Sequence, residues 1–95
     1  MNIYIIGSVT TSGIPIECAA DKFEELEHEV RYVKPEDKPL NDLIRASFEL
    51  IETWADMVVV VPKSVYPTIE IGEGTLYEME HAKSLDKLVV IYYDL

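Results

Sequence analysis

Asp56-Met57-Val58-Val59-Val60-Val61-Pro62 is the stretch on which the fold turns. Four consecutive valines leave no polar side for an alternating strand, and β-branched side chains favour extended backbone. A strand that is apolar on both faces is covered on both faces, as in parallel sheets flanked by helices. Pro62 has no N–H to give to a ladder and ends the run. Upstream, Leu40 to Trp54 reads as an amphipathic helix. Its inner side carries Leu40, Leu43, Ile44, Phe48, Ile51 and either Trp54 or Ala55. Asn41 or Asp42 contributes to its start. Downstream, Lys63 to Gly74 is long for a connection in so small a domain, and such loops are often functional. A helix from Thr75 to Asp86 follows, with Leu76, Met79, Ala82 and Leu85 or Lys83 near one side. Leu88 to Tyr93 is a last strand.

Toward the N-terminus, Asn2-Ile3-Tyr4-Ile5-Ile6 is another continuous apolar run, a buried strand ending at Gly7. Ile16, Ala19, Ala20, Phe23 and Leu26 then recur at helical spacing behind Pro15, which suits a first helical turn. Glu17, Asp21, Lys22, Glu24, Glu25 and Glu27 form its solvated side, and His28 is placed as a C-terminal cap. Val30-Arg31-Tyr32-Val33 is a short strand, and Lys34 to Pro39 a turn-rich connector. The elements alternate βαβαβαβ over a single domain, residues 1–95. That pattern predicts an α/β fold: a small doubly wound, flavodoxin/Rossmann-like parallel sheet of four strands in order 2-1-3-4, with three helices. In this order the winding reverses between strands 1 and 3, and ligands bind outside the carboxyl ends of the strands at such a point. The loops that meet there are Gly7–Gly13 and Lys63–Gly74.

The chain has 95 residues and a net charge of −10. The charge argues against DNA, RNA and anionic membrane as partners. It leaves room for a small anion held by backbone N–H groups. Cys18 stands alone, so the sequence offers no disulfide framework and no cysteine metal cluster, which fits a reducing compartment. No basic, apolar leader and no run of membrane length is present in the sequence, so the expected location is cytoplasmic. So small a domain buries a modest share of its surface, and pairing of subunits is expected.

Gly72 and Gly74 free the backbone ahead of Thr75, and Glu78 is expected in the first helical turn. Thr75-x-x-Glu78 has two readings. It is a capping box, in which Glu78 turns back to the backbone of Thr75. Or it presents a positioned carboxylate beside an N–H-rich loop, as a nucleophile requires. Gly7-Ser8-Val9-Thr10-Thr11-Ser12-Gly13 is likewise either a plain turn or a cradle for a phosphate or sugar. It has neither the P-loop lysine pattern nor a full G-x-G-x-x-G. Because both loops fall at the same reversal point, the site reading gains weight, with a polar small molecule as partner. Tyr4 lines that site or belongs to the core. Tyr66 stacks on a ligand or lies on the surface. Glu78-x-x-His81 is a metal-ligand spacing in di-iron bundles, but a single copy carries little, and His81 is placed on the surface.

Three pieces together resemble the nucleoside 2-deoxyribosyltransferase superfamily, which includes the deoxynucleoside 5′-monophosphate N-glycosidases. They are Ile3-Tyr4-Ile5-Ile6-Gly7, Ala55-Asp56-Met57-Val58-Val59-Val60, and Gly72-x-Gly74-Thr75-x-x-Glu78-x-x-x-Ala82. The resemblance covers most of the chain in order and spacing. It implies that Glu78 is the nucleophile that attacks C1′ of a deoxyribose and releases the base. It also implies a substrate site drawn from Tyr4, Gly7, Ser8, Ser12, Gly72, Gly74 and Thr75, with Ser8 and Ser12 near a 5′-phosphate. No cofactor and no metal are implied. The family carries a second acid in the helix before the third strand. The matching position is Phe48, so Glu49, the next residue, or Glu52 is the carboxylate left to serve. Asp56 matches the family but falls at a strand start. Family members usually continue to a further strand and a segment that completes a neighbour's site, which adds to the expectation of a homo-oligomer. A module of the same fold that binds a nucleotide without turning it over is the alternative.

Overall fold

In a computed structural model, residues 1–7, 14–32, 40–62 and 71–92 are described. They form β1 (Asn2–Gly7), α1 (Ile14–Glu25), β2 (Glu29–Tyr32), α2 (Leu40–Thr53), β3 (Met57–Val61), α3 (Glu73–Ser84) and β4 (Leu88–Ile91). Ser8, Ser12, Val33, Tyr66, Tyr93, the 34–39 connector and most of the long loop lie outside the described residues. The strands make one parallel sheet in order β2-β1-β3-β4, as the alternation of elements predicts.

Strand alternation divides the core into two clusters. Ile3 and Ile5 of β1 and Met57, Val59 and Val61 of β3 meet Ile16, Ala19 and Ala20 of α1. Tyr4 and Ile6 of β1 and Val58 and Val60 of β3 meet Ile51 of α2, Ala55 and Ala82 of α3. Hence α1 covers one face and α2 with α3 the other. All five residues of β3 are buried, which is why its sequence shows no polar alternation. At the start of β3, Asp56 ties the sheet together. Its carboxylate accepts from the Asn2 backbone N–H at 2.9 Å, and its own N–H donates to Asn2 O at 2.8 Å. Asp56 is thus a structural clasp, at the end of the sheet away from the reversal point.

Both α1 and α3 close on Schellman turns. His28 N–H donates to Phe23 O and Glu27 N–H to Glu24 O; Lys87 N–H donates to Ala82 O and Asp86 N–H to Lys83 O. The backbone of His28, rather than its ring, does the capping expected of it. Each turn needs one left-handed residue, and Glu27 (φ 65°) and Asp86 (φ 57°) supply it. A side chain there costs about 1 kcal/mol that glycine does not. Glu27→Gly and Asp86→Gly are therefore expected to stabilise the fold by roughly that amount each, read as a higher denaturant midpoint with unchanged slope.

Three expectations are corrected. Leu26 is exposed, because α1 ends at Glu25 and Leu26 belongs to the closing turn. Leu76 and Leu85 are exposed as well; α3 begins at Glu73, and the face it docks carries Thr75, Met79 and Ala82. β4 is described as Leu88–Ile91, with Tyr92 beyond its end.

Candidate active site

Three side chains from three elements meet on the α2/α3 face of the sheet. Tyr4, at the middle of β1, is 1% exposed. Its phenol donates to Ser47 Oγ of α2 at 2.8 Å, and the Ser47 hydroxyl donates to Glu78 Oε2 of α3. Ser47 is 3% exposed and Glu78 partly buried. Burial raises the Glu78 carboxyl above its ordinary value, because a charge loses hydration there; the Ser47 hydrogen bond pulls the other way without cancelling it. Burial also pushes the Tyr4 phenol up, opposed by the Ser47 bond and reinforced by the Glu78 charge. Tyr4 therefore stays neutral and remains a donor throughout the working pH range.

This geometry separates the two readings of Thr75-x-x-Glu78. Gly72 is the N-cap of α3, in extended conformation and without a side-chain cap bond. Thr75 lies inside the helix and is 4% exposed. Glu78 falls in the second turn, and its carboxylate is engaged by Ser47. The capping box is not formed. Nor does the helix terminus govern the charge of Glu78, since that influence fades within the first turn; desolvation does.

One turn further along, His81 Nε2 lies 2.8 Å from Glu52 Oε1, and its ring stacks on Phe48 at 4.2 Å and 13°. His81, placed on the surface from sequence, is instead a partly buried link between α2 and α3. Among the described residues no group of three or more His, Cys, Asp or Glu is placed to hold a metal.

Of the remaining candidates, Gly7 ends β1 in register with Val61 of β3, so the roots of both loops are adjacent. A Cβ on Gly7 would meet Ile16 Cδ1 at 3.1 Å and Val61 O at 3.2 Å, which gives glycine a packing reason at this position. Glu49 is exposed and lines a groove with Asn41, Ile44, Arg45, Phe48 and Glu52. The residue of α2 that faces Glu78 is Ser47. The sequence carried a faint signal for it: a hydroxyl one turn before Ile51, in the phase of α2 that faces the core. Gly74 is open; a Cβ there meets nothing within 4 Å among the described residues. Gly74→Ala is expected to raise the melting temperature slightly, since alanine favours helix by about 1 kcal/mol. If substrate approaches the backbone here, KM rises as well; an unchanged KM removes Gly74 from the site.

No family model and no curated protein sequence matches the chain. Among solved structures it is similar to a 2-desoxiribosyltransferase from Leishmania mexicana, with a TM-score of 0.67 and 20% sequence identity. The match covers 96% of this chain and 63% of that one, so the chain spans less than two thirds of that protein's length. At this identity the likeness is one of fold. The chain shares an α/β fold with that protein over nearly its whole described length. Among the described residues no helix is long and apolar enough to cross a membrane.

Proposed function

We propose that the chain is a nucleoside 2-deoxyribosyltransferase-like enzyme, acting on the N-glycosidic bond of a deoxynucleoside or its 5′-monophosphate with Glu78 as nucleophile. One observation carries the reading. The carboxylate singled out by the family resemblance is partly desolvated and held by a hydrogen bond from Ser47, on a helix that follows β3 at the reversal point of the sheet. The fold likeness to a 2-desoxiribosyltransferase supports it.

In the first step a Glu78 oxygen attacks C1′ and the C1′–N bond breaks. The electron pair leaves on the base nitrogen, which takes a proton from solvent, and a glycosyl ester remains. In the second step water attacks C1′, losing its proton to solvent, and the electron pair of the ester bond returns to Glu78. A second base in place of water makes the overall reaction a transfer. The oxocarbenium-like transition state gains from the adjacent carboxylate, and partial exclusion of water strengthens that attraction.

The test is base release from the four deoxynucleosides and their 5′-monophosphates, with and without a free acceptor base, and with Glu78→Ala in parallel. Release that disappears in Glu78→Ala supports the proposal, and the acceptor lanes separate transfer from hydrolysis. No release from folded protein overturns it. A second reading, a nucleotide-binding module without turnover, is favoured by the identity of Ser47: a serine, not a carboxylate, faces Glu78 from α2. A nucleotide that raises the melting temperature and is recovered intact supports that reading.

A further inference from the structure

We infer that Ser47 is the positioning residue of the Glu78 carboxylate: its hydroxyl, itself held by Tyr4, occupies Oε2 and leaves Oε1 as the attacking atom. The catalytic part of this statement rests on the proposed function; the positioning part does not.

With Glu78 ionised, the hydrogen bonds run in one direction. Tyr4 has a single proton and gives it to Ser47 Oγ; Ser47 has a single proton and gives it to Glu78 Oε2. An ionised Glu78 can only accept, so Ser47 must donate to it and is left to accept from Tyr4; the direction is set by the charge on the carboxylate. The donor at the head of the chain is anchored on a central strand, because β1 is paired on both sides, with β2 and β3. The carboxylate of one helix is thereby referenced to the sheet through a second helix. Ser47 is 3% exposed and lies one turn before Ile51, a member of the apolar cluster on this face, so its hydroxyl sits in an otherwise apolar setting. In a dry setting, linked hydrogen bonds strengthen one another and fix rotamers that would otherwise exchange.

The consequence for reaction is specific. When Oε1 bonds to C1′, Oε2 becomes the carbonyl oxygen of the ester and its negative charge falls. The Ser47 bond is strongest to the free carboxylate, so it favours the ionised form before attack and again as the ester breaks. A merely structural serine would do neither.

The experiment is a carbon-13 NMR titration of protein labelled at glutamate side chains, with the Glu78 signal assigned by its loss in Glu78→Gln. It needs no substrate, so failure of this inference and failure of the enzyme reading are distinguishable. Ser47→Ala is expected to move the Glu78 titration upward, because burial remains while the opposing bond is lost. Ser47→Thr, which keeps the hydroxyl, is expected to titrate near wild type. Tyr4→Phe is expected to shift Glu78 in the same direction as Ser47→Ala, by less. If the protein turns over, kcat/KM of Ser47→Ala falls about tenfold on the acid side of its pH profile and much less on the alkaline side. An unmoved Glu78 titration in folded Ser47→Ala overturns the inference, as does a Ser47→Thr that titrates like Ser47→Ala. Should Ser47→Ala not fold, Tyr4→Phe decides alone: an upward shift supports the relay, and no shift overturns it.

Discussion

Glu78→Gln is expected to lose base release by about a thousandfold or more, the usual penalty for removing a nucleophile, while melting at a higher temperature than wild type. The amide keeps the shape of the side chain and still accepts from Ser47, but it can neither form the glycosyl ester nor carry charge. The gain in stability follows from the direction of the Glu78 shift. Its carboxyl binds a proton more tightly in the folded chain than in the unfolded one, where the ordinary value is 4.5. Such a group contributes stability that is fully present below the unfolded value and is lost as pH rises through the folded value. At neutral pH the wild type therefore holds a partly buried charge at a cost, and glutamine relieves it. Relief of this kind is typically on the order of 1 kcal/mol, or about 4–8 °C in a domain this small. The difference in melting temperature should be largest at pH 7 and close as pH falls below 4.5. A Glu78→Gln protein that is less stable than wild type at neutral pH would contradict the desolvated-carboxylate picture, whatever its activity.

The second large effect is structural. Ile51→Ala is expected to cost about 2–5 kcal/mol, since Ile51 is fully buried between α2 and the sheet and truncation leaves a cavity. Native domains are stable by only about 5–15 kcal/mol, so this one change removes a large part of the total. The melting temperature should fall by roughly 10–20 °C. Ile51→Val should cost only about 1 kcal/mol. Leu88→Ala, at a side chain 56% exposed on the edge strand, should stay within about 0.5 kcal/mol. Because Ser47 lies one turn before Ile51, the loss should also loosen the carboxylate. Residual activity in Ile51→Ala should then fall more than the folded fraction accounts for. Parallel denaturation curves and activity assays on one preparation would show it.

The sheet was legible in the sequence because buried parallel strands have a one-dimensional signature. Met57–Val61 and Ile3–Ile6 are short, apolar without interruption and rich in β-branched residues, the pattern of strands covered on both faces. Strand order followed from connection rules alone. The start of α3 was not legible. Thr75 is a good capping residue locally, but docking of Thr75, Met79 and Ala82 against the sheet draws the helix back to Glu73 and leaves the cap to Gly72. Tertiary packing overrode local preference, and with it went the expected electrostatics of Glu78. Glu78 stood out in the sequence through the Gly-x-Gly lead-in and the family resemblance, and the structure places it partly buried against Ser47. Its partner left only a faint trace, one hydroxyl a turn before Ile51, because Ser47 lies 31 residues away and the family pattern points instead to an acid at Glu49. Helical phase separates the two: Ser47 sits in the inward stripe of α2 and Glu49 outside it.

The division of the core into two clusters that share no side chain has a practical corollary for engineering. On the α1 side the buried members are aliphatic residues and one methionine, whereas the polar relay lies wholly on the other side. Changes that share no partner combine additively. The α1 side can therefore be repacked for heat resistance, for instance around Ala19 and Ala20, as an independent module. The Tyr4–Ser47–Glu78 geometry would be inherited unchanged, and heat resistance on one side and the relay on the other could be varied in separate libraries and then merged.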